Sequence, residues 1–216
     1  KAYGNQWAQR DVVTYHQEDQ LTYMELFNGP TLAFKDVALQ ALPHLMTAAA
    51  KKQQITDTMV ILTATSGDTG TAAMRGFGDV PQTEIVVFYP EVGVSEMQRQ
   101  QMQTEAAKNA HVIAITGNFD DAQKAVKSLL SEKDLVADLA AHHQRFSSAN
   151  SINIGRLVPQ IVYYIHAYAQ LVNQGQVQAG EPVTIVVPTG NFGNVLAAYY
   201  ASQIGLPVRQ FVVASN

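Results

Sequence analysis

The chain of 216 residues has no cysteine, which excludes disulfides and thiolate metal sites. Charge is sparse as well. Charged residues make up 15% of the sequence, the formal net charge is -4, and neither sign gathers into a block. A nucleic-acid face or an anionic-membrane-binding surface would need such a block. No segment approaches the length of a bilayer span, and residues 1–4 do not read as a signal peptide. Tryptophan occurs once, as Trp7. Tyr163, Tyr164, Tyr199 and Tyr200 suit core and helix-face positions better than a base-stacking platform. A soluble cytoplasmic protein, with no nucleic-acid or membrane partner, is expected. Its 47% hydrophobic content fits a well-buried globular core. The chain starts without Met and stops just after an apolar strand, so it reads as a fragment of something longer.

Strand and helix signals alternate, which predicts an α/β protein with a parallel sheet. The spacing of Val37, Leu39, Ala41, Leu42, Leu45, Met46 and Ala49 predicts a helix over 36–52, kinked by Pro43. The continuous apolar run 58–64 predicts a buried parallel strand. Further strands are expected over 84–89, 111–116, 182–188 and 207–214. Helices are expected over 69–77, 95–109, 119–131, 157–173 and 195–204. In the helix 157–173, Val158, Ile161, Val162, Ile165, Ala169 and Val172 form the expected inner stripe. No repeat of fixed period and no linker rich in Pro, Gly or Ser divides the chain.

One lysine stands out. In Asn28-Gly29-Pro30-Thr31-Leu32-Ala33-Phe34-Lys35-Asp36, a rigid turn leads to Lys35 at the head of an apolar helix. Phe34 and Val37 flank it. Partial desolvation lowers a lysine pKa and yields the free amine that attacks a carbonyl.

Two glycine loops follow strands and open helices, the place where open α/β sheets bind ligands. The first is Thr65-Ser66-Gly67-Asp68-Thr69-Gly70-Thr71. Its helix N-terminus and hydroxyls suit a carboxylate or phosphate; Asp68 could cap the helix or hold a ligand hydroxyl. The second is Pro188-Thr189-Gly190-Asn191-Phe192-Gly193-Asn194, where Gly190 and Gly193 permit positive φ and converging N–H groups. No Walker lysine follows, and the spacing is not that of a dinucleotide fingerprint. A small monophosphate fits better. A reactive lysine with two anion cradles points to pyridoxal phosphate.

Four segments in order then resemble threonine synthases, members of the fold type II (tryptophan-synthase-β-like) pyridoxal phosphate enzymes. They are residues 29–36, residues 65–70, Ser148-Ala149-Asn150-Ser151-Ile152-Asn153-Ile154-Gly155-Arg156, and Gly190-Asn191-Phe192-Gly193-Asn194. Related cysteine synthases tend to carry Asn where Asp68 stands, and dehydratases tend to have an all-glycine phosphate loop. The resemblance implies a three-layer αβα fold of two intertwined domains, with 1–57 and 156–216 in a large cofactor domain and 58–155 in a small mobile one.

It also implies roles. Lys35 would bond the cofactor and then move protons. Gly190, Asn191, Phe192, Gly193 and Asn194 would hold the cofactor phosphate, and Asp68 would lie near its O3′. Thr65, Ser66 and Thr69 would receive the substrate carboxylate. Asn150, Ser151, Asn153 and Arg156 would form the substrate-phosphate site, for which a guanidinium is chemically apt. The implied reaction turns O-phosphohomoserine and water into threonine and phosphate. The alternatives are another enzyme of the superfamily, such as a threonine or serine dehydratase, or a truncated homologue without catalysis. A metal site at His142-His143 is not expected, because adjacent helical residues point apart. Ser66 lacks the G-x-S-x-G setting of a serine hydrolase.

Overall fold

A computed structural model describes residues 2–215. The chain opens with an antiparallel hairpin, β1 (Thr14–Glu18) and β2 (Leu21–Glu25). Two short helices follow, α1 (Asp36–Leu39) and α2 (Leu42–Lys52). The expected single helix over 36–52 is therefore two. Pro43 does not kink a continuous helix; it lies in the first turn of α2, where a missing N–H costs nothing.

The central unit alternates β3 (Thr58–Ala64), α3 (Asp68–Phe77), β4 (Thr83–Pro90), α4 (Glu96–Gln103), β5 (Ala110–Ile115), α5 (Phe119–Ser131), α6 (Lys133–Ala141) and β6 (Gln144–Ser148). Its four strands pair in the order β5-β4-β3-β6, all parallel. The sheet is buried on both faces near β3: Ile61 and Ala64 are fully buried, and Leu62 nearly so. This is why the β3 sequence is continuously apolar rather than alternating. Leu39, Ile61, Met74, Phe77, Ile85 and Val87 form the core on one face. Leu62, Ala64, Ala122 and Val126 form it on the other, under α5. Asn118 starts α5 with a reciprocal capping box to Asp121, so two orphan donors are satisfied at once.

The chain ends with α7 (Ile154–Asn173), β7 (Val183–Pro188), α8 (Gly193–Gln203) and β8 (Val208–Ala214). Strands β7 and β8 pair in parallel as a separate two-stranded sheet. Helices α7 and α8 pack through Leu157, Tyr163, Tyr164, Ala197, Ala198 and Ala201. The inner stripe expected for α7 is thus corrected in part: Ile161 packs against this cluster. Val158, Val162 and Ile165 are exposed, and the buried residues are Arg156, Leu157, Gln160, Tyr163 and Tyr164. A polar face turned inward reads as an outer face when only apolar periodicity is counted.

Several elements are absent from the expectation: the hairpin β1–β2, α6 and β6. Helix α4 is shorter than the expected 95–109, ending at Gln103.

Candidate active site

Lys35 caps the N-terminus of α1 with its backbone carbonyl, which accepts from the Leu39 N–H at 2.9 Å. The loop before it is pinned by the next residue. Asp36 is fully buried and accepts from the Thr31 N–H at 2.8 Å and the Thr31 hydroxyl at 2.7 Å. A Cβ on Gly29 would collide with that carboxylate, so the glycine permits the staple. Burial pushes the Asp36 carboxyl above its ordinary value, and the Thr31 bonds oppose that shift.

The Lys35 side chain is 16% exposed. Its Nζ lies 4.4 Å from the Phe34 ring centroid and 3.3 Å from Asp68 Oδ2. Burial lowers its pKa; Asp68 works in the opposite direction, and the Arg156 charge adds to the lowering. This is the environment that makes a lysine a nucleophile and proton carrier.

Asp68 sits in the first turn of α3, with its second oxygen, Oδ1, accepting from Gln98 Nε2 at 2.5 Å. The loop before it is held by Thr65. The Thr65 hydroxyl accepts from the Gly67 and Gly70 N–H groups, both at 2.9 Å, and donates to the Gly67 carbonyl at 3.0 Å. Thr65 is fully buried, so its side chain shapes the loop from within. Ser66 is exposed and Thr69 half-buried on the open side.

The third motif divides by role. Asn150 is tied to Ala64 at the end of β3, accepting from its N–H at 2.9 Å and donating to its carbonyl at 2.8 Å. Asn153 is the N-cap of α7, bonding the Gly155 N–H and the Ser148 carbonyl. Both amides are thus spent on the chain's own backbone, a structural use that was not expected of them. Ser151 is exposed and approaches Gly193, whose Cβ would meet the Ser151 Cβ at 3.4 Å. The third and fourth motifs therefore meet.

Arg156 is buried at 7% exposure. It donates to the Ala149 carbonyl at 3.0 Å, its Nε has no partner, and no carboxylate pairs with it among the described residues. Burial lowers its pKa to about 10. A buried cation without a counter-charge is unfavourable until an anion arrives.

The loop before α8 takes an unexpected backbone form. Neither Gly190 nor Gly193 has positive φ, so the nest expected there is replaced by a plain helix start. Phe192 is the N-cap and makes no side-chain cap bond. The N–H groups of the first turn thus have no capping side chain, as an anion site requires. Asn194 is oriented from beneath: its Oδ1 accepts from the Tyr163 hydroxyl at 2.5 Å and the Tyr164 hydroxyl at 2.7 Å. Gly190, Asn191 and Phe192 are exposed. Beside them an open depression is lined by Pro188, Thr189, Gly190, Ala214 and Ser215.

Residues 16–216 match the family model described as pyridoxal-phosphate dependent enzyme. The chain belongs to this family. Its cofactor is pyridoxal phosphate, and the residues present fit it: a desolvated lysine and a helix N-terminus without a capping side chain.

Within the family the chain resembles threonine synthases. It is 45% identical to threonine synthase of Pseudomonas aeruginosa over 196 residues, covering 89% of this chain and 39% of that protein. It is 40% identical to threonine synthase-like 1 of Homo sapiens over 222 residues, covering all of this chain and 30% of that protein. The chain thus spans about a third of the curated relatives it matches. The crystal structure of pyridoxal phosphate-bound threonine synthase from Brucella melitensis superposes with a TM-score of 0.82 at 37% identity, covering 99% of this chain and 43% of that one. The Escherichia coli threonine synthase structure gives 0.83 at 37% identity, covering 97% of this chain and 46% of that one. The expected fold type II α/β architecture with parallel sheet is therefore present.

Two contacts with these candidate residues escaped sequence reading. One is Gln98, which grips Asp68; its signal was Ser95-Glu96-Met97-Gln98, a cap-like S-x-x-Q before a helix. The other is the tyrosine pair beneath Asn194, which no local pattern marks.

Proposed function

We propose that the protein containing this chain is a threonine synthase, converting O-phosphohomoserine and water to threonine and phosphate. The observation that carries this reading is Arg156: a buried guanidinium, unpaired and electrostatically coupled to Lys35. A substrate bearing both an amino group and a phosphate would answer both groups. A dehydratase substrate without phosphate would leave Arg156 unanswered.

In this proposal the cofactor, when bound, withdraws electrons from the substrate's α carbon. The N–H groups opening α8 receive the cofactor phosphate, with Asn194 held by its two tyrosines. Ser66, Thr69 and the N-terminus of α3 receive the substrate carboxylate, while Thr65 keeps that loop in shape. Arg156 and Ser151 take the substrate phosphate; Asn150 and Asn153 support them through Ala64 and the α7 cap. Lys35 would take protons from the α and β carbons as phosphate leaves the γ carbon; a proton then returned to the γ carbon completes its methyl group, water adds at the β carbon, and a proton returned to the α carbon closes the turnover. Asp68 lies beside the amine and governs its charge. We assign 58–155 to a small mobile domain, and 1–57 and 156–216 to the large cofactor domain.

The test is borohydride reduction after incubation with pyridoxal phosphate, followed by peptide mapping and assay with O-phosphohomoserine. A pyridoxyl group on Lys35 with threonine and phosphate as products supports the reading. Label on Lys35 with turnover of unphosphorylated hydroxyamino acids instead would replace it with a dehydratase.

A further inference from the structure

We infer that Gln98 is a positioning residue for this site: its side-chain amide holds the Asp68 carboxylate in the orientation that pairs with Lys35 Nζ. The inference rests on Lys35 being the reactive amine of the proposed function, and it concerns a residue on a different helix.

The geometry forms a line across three helices. The Ser95 hydroxyl donates to Gln98 Oε1 at 3.0 Å. This sets the amide so that Nε2 donates to Asp68 Oδ1 at 2.5 Å. Asp68 then offers Oδ2 to Lys35 Nζ at 3.3 Å. The Asp68 side chain is 50% exposed, so the neighbouring bonds, not packing, decide where it points. Without the Gln98 bond, water competes for both oxygens and the carboxylate samples other rotamers.

Gly67 supplies the second, independent observation. A Cβ at Gly67 would occupy the space of the Gln98 amide, and the glycine has φ +150°, a conformation L side chains rarely adopt. The Gly67 backbone thus lies directly against the Gln98 amide in its Asp68-bonded position.

The charged groups facing Lys35 are Asp68 from α3, Arg156 from α7 and its own neighbour Asp36. On α4, Glu96 and Arg99 pair with each other. Of these, only Asp68 is held by Gln98. Loss of its alignment removes the nearest negative charge and favours the neutral amine.

The experiment reads Lys35 without the cofactor. The full chain is labelled with trace acetic anhydride across pH, and Lys35 acetylation is followed by mass spectrometry with Lys124 and Lys127 as internal standards. Gln98→Met keeps the side chain's length and removes the donor. It is expected to speed Lys35 labelling at neutral pH by up to about fivefold, the size of a half-exposed ion pair, and to move the labelling midpoint to lower pH. Asp68→Asn should do the same, and Gln98→Met should add nothing in the Asp68→Asn background. Gln98→Ala repeats the test should the methionine variant not fold. An unchanged midpoint in the Gln98 variants beside a shifted one in Asp68→Asn would overturn the inference, as would additive shifts. None of these results depends on threonine formation, so a failed positioning role and a wrong substrate are distinguishable.

Discussion

Asn150 is bonded twice to the backbone of Ala64, as acceptor at 2.9 Å and donor at 2.8 Å. The side chain behaves as one more residue of a strand, extending the β3–β6 ladder past the point where β6 ends at Ser148. It thereby anchors the segment that carries Ser151 and Arg156 to the strand that leads into the Thr65–Gly70 loop.

Replacing that amide tests the anchor. Asn150→Ala leaves a buried N–H and carbonyl of Ala64 without partners and should cost about 2–4 kcal/mol. Urea denaturation measures it; a loss below about 0.5 kcal/mol would show that Ala64 finds other partners.

Arg156 predicts a trade between stability and binding. Arg156→Met removes a buried, unpaired cation and should stabilise the unliganded chain by about 1–2 kcal/mol. Thermal melts with and without inorganic phosphate should show phosphate raising the Tm of the parent and leaving the variant unchanged. A variant less stable than the parent without phosphate would contradict this account.

Lys35 makes the parent's stability depend on alkaline pH. Its folded-state pKa is lowered, mainly by burial, so in the window between that value and the ordinary lysine value the unfolded chain binds more protons. Stability therefore rises with pH through that window, and the burial penalty is fully present below it. Lys35→Met should be more stable than the parent at pH 7, with the gap narrowing as the pH is raised. Melting curves over a pH series read the gap; a constant one would mean that Lys35 is not the titrating group.

Gly76 allows α3 to lie against α1. A Cβ there would fall on the Leu39 carbonyl oxygen, a backbone atom that cannot step aside. Gly76→Ala gains helix propensity of about 1 kcal/mol yet should destabilise by about 1–3 kcal/mol net through overpacking. Because α1 carries Lys35 and α3 carries Asp68, the same variant should also shift the Lys35 labelling profile. Equilibrium unfolding with the acetylation assay checks both.

Much of this arrangement was legible in the residues. Strand β3 and helix α5 occur where expected; for β3 an uninterrupted apolar run reports burial on both faces directly. The hairpin β1–β2 and strand β6 were not, since TYHQE, LTYME and QRFSS carry polar side chains where pattern reading seeks alternation. The motifs brought Lys35, Asp68 and Arg156 to attention. They could not reveal that Thr65, Asn150 and Asn153 spend their polar atoms on backbone, because satisfaction of a hydrogen bond depends on partners distant in sequence. The Asn150 bond to Ala64 joins residues 86 apart.

That separation orders events during folding. Strand β3 can pair with β4 as soon as residue 90 is available, a short loop closure. Its other edge waits for β6, and the amide of Asn150 follows that strand. Long-range closures of this kind are slow. In a chain emerging from the ribosome, Lys35 and the glycine loop at Asp68 are made long before the segment that completes their surroundings, so competence for chemistry is a late product of synthesis.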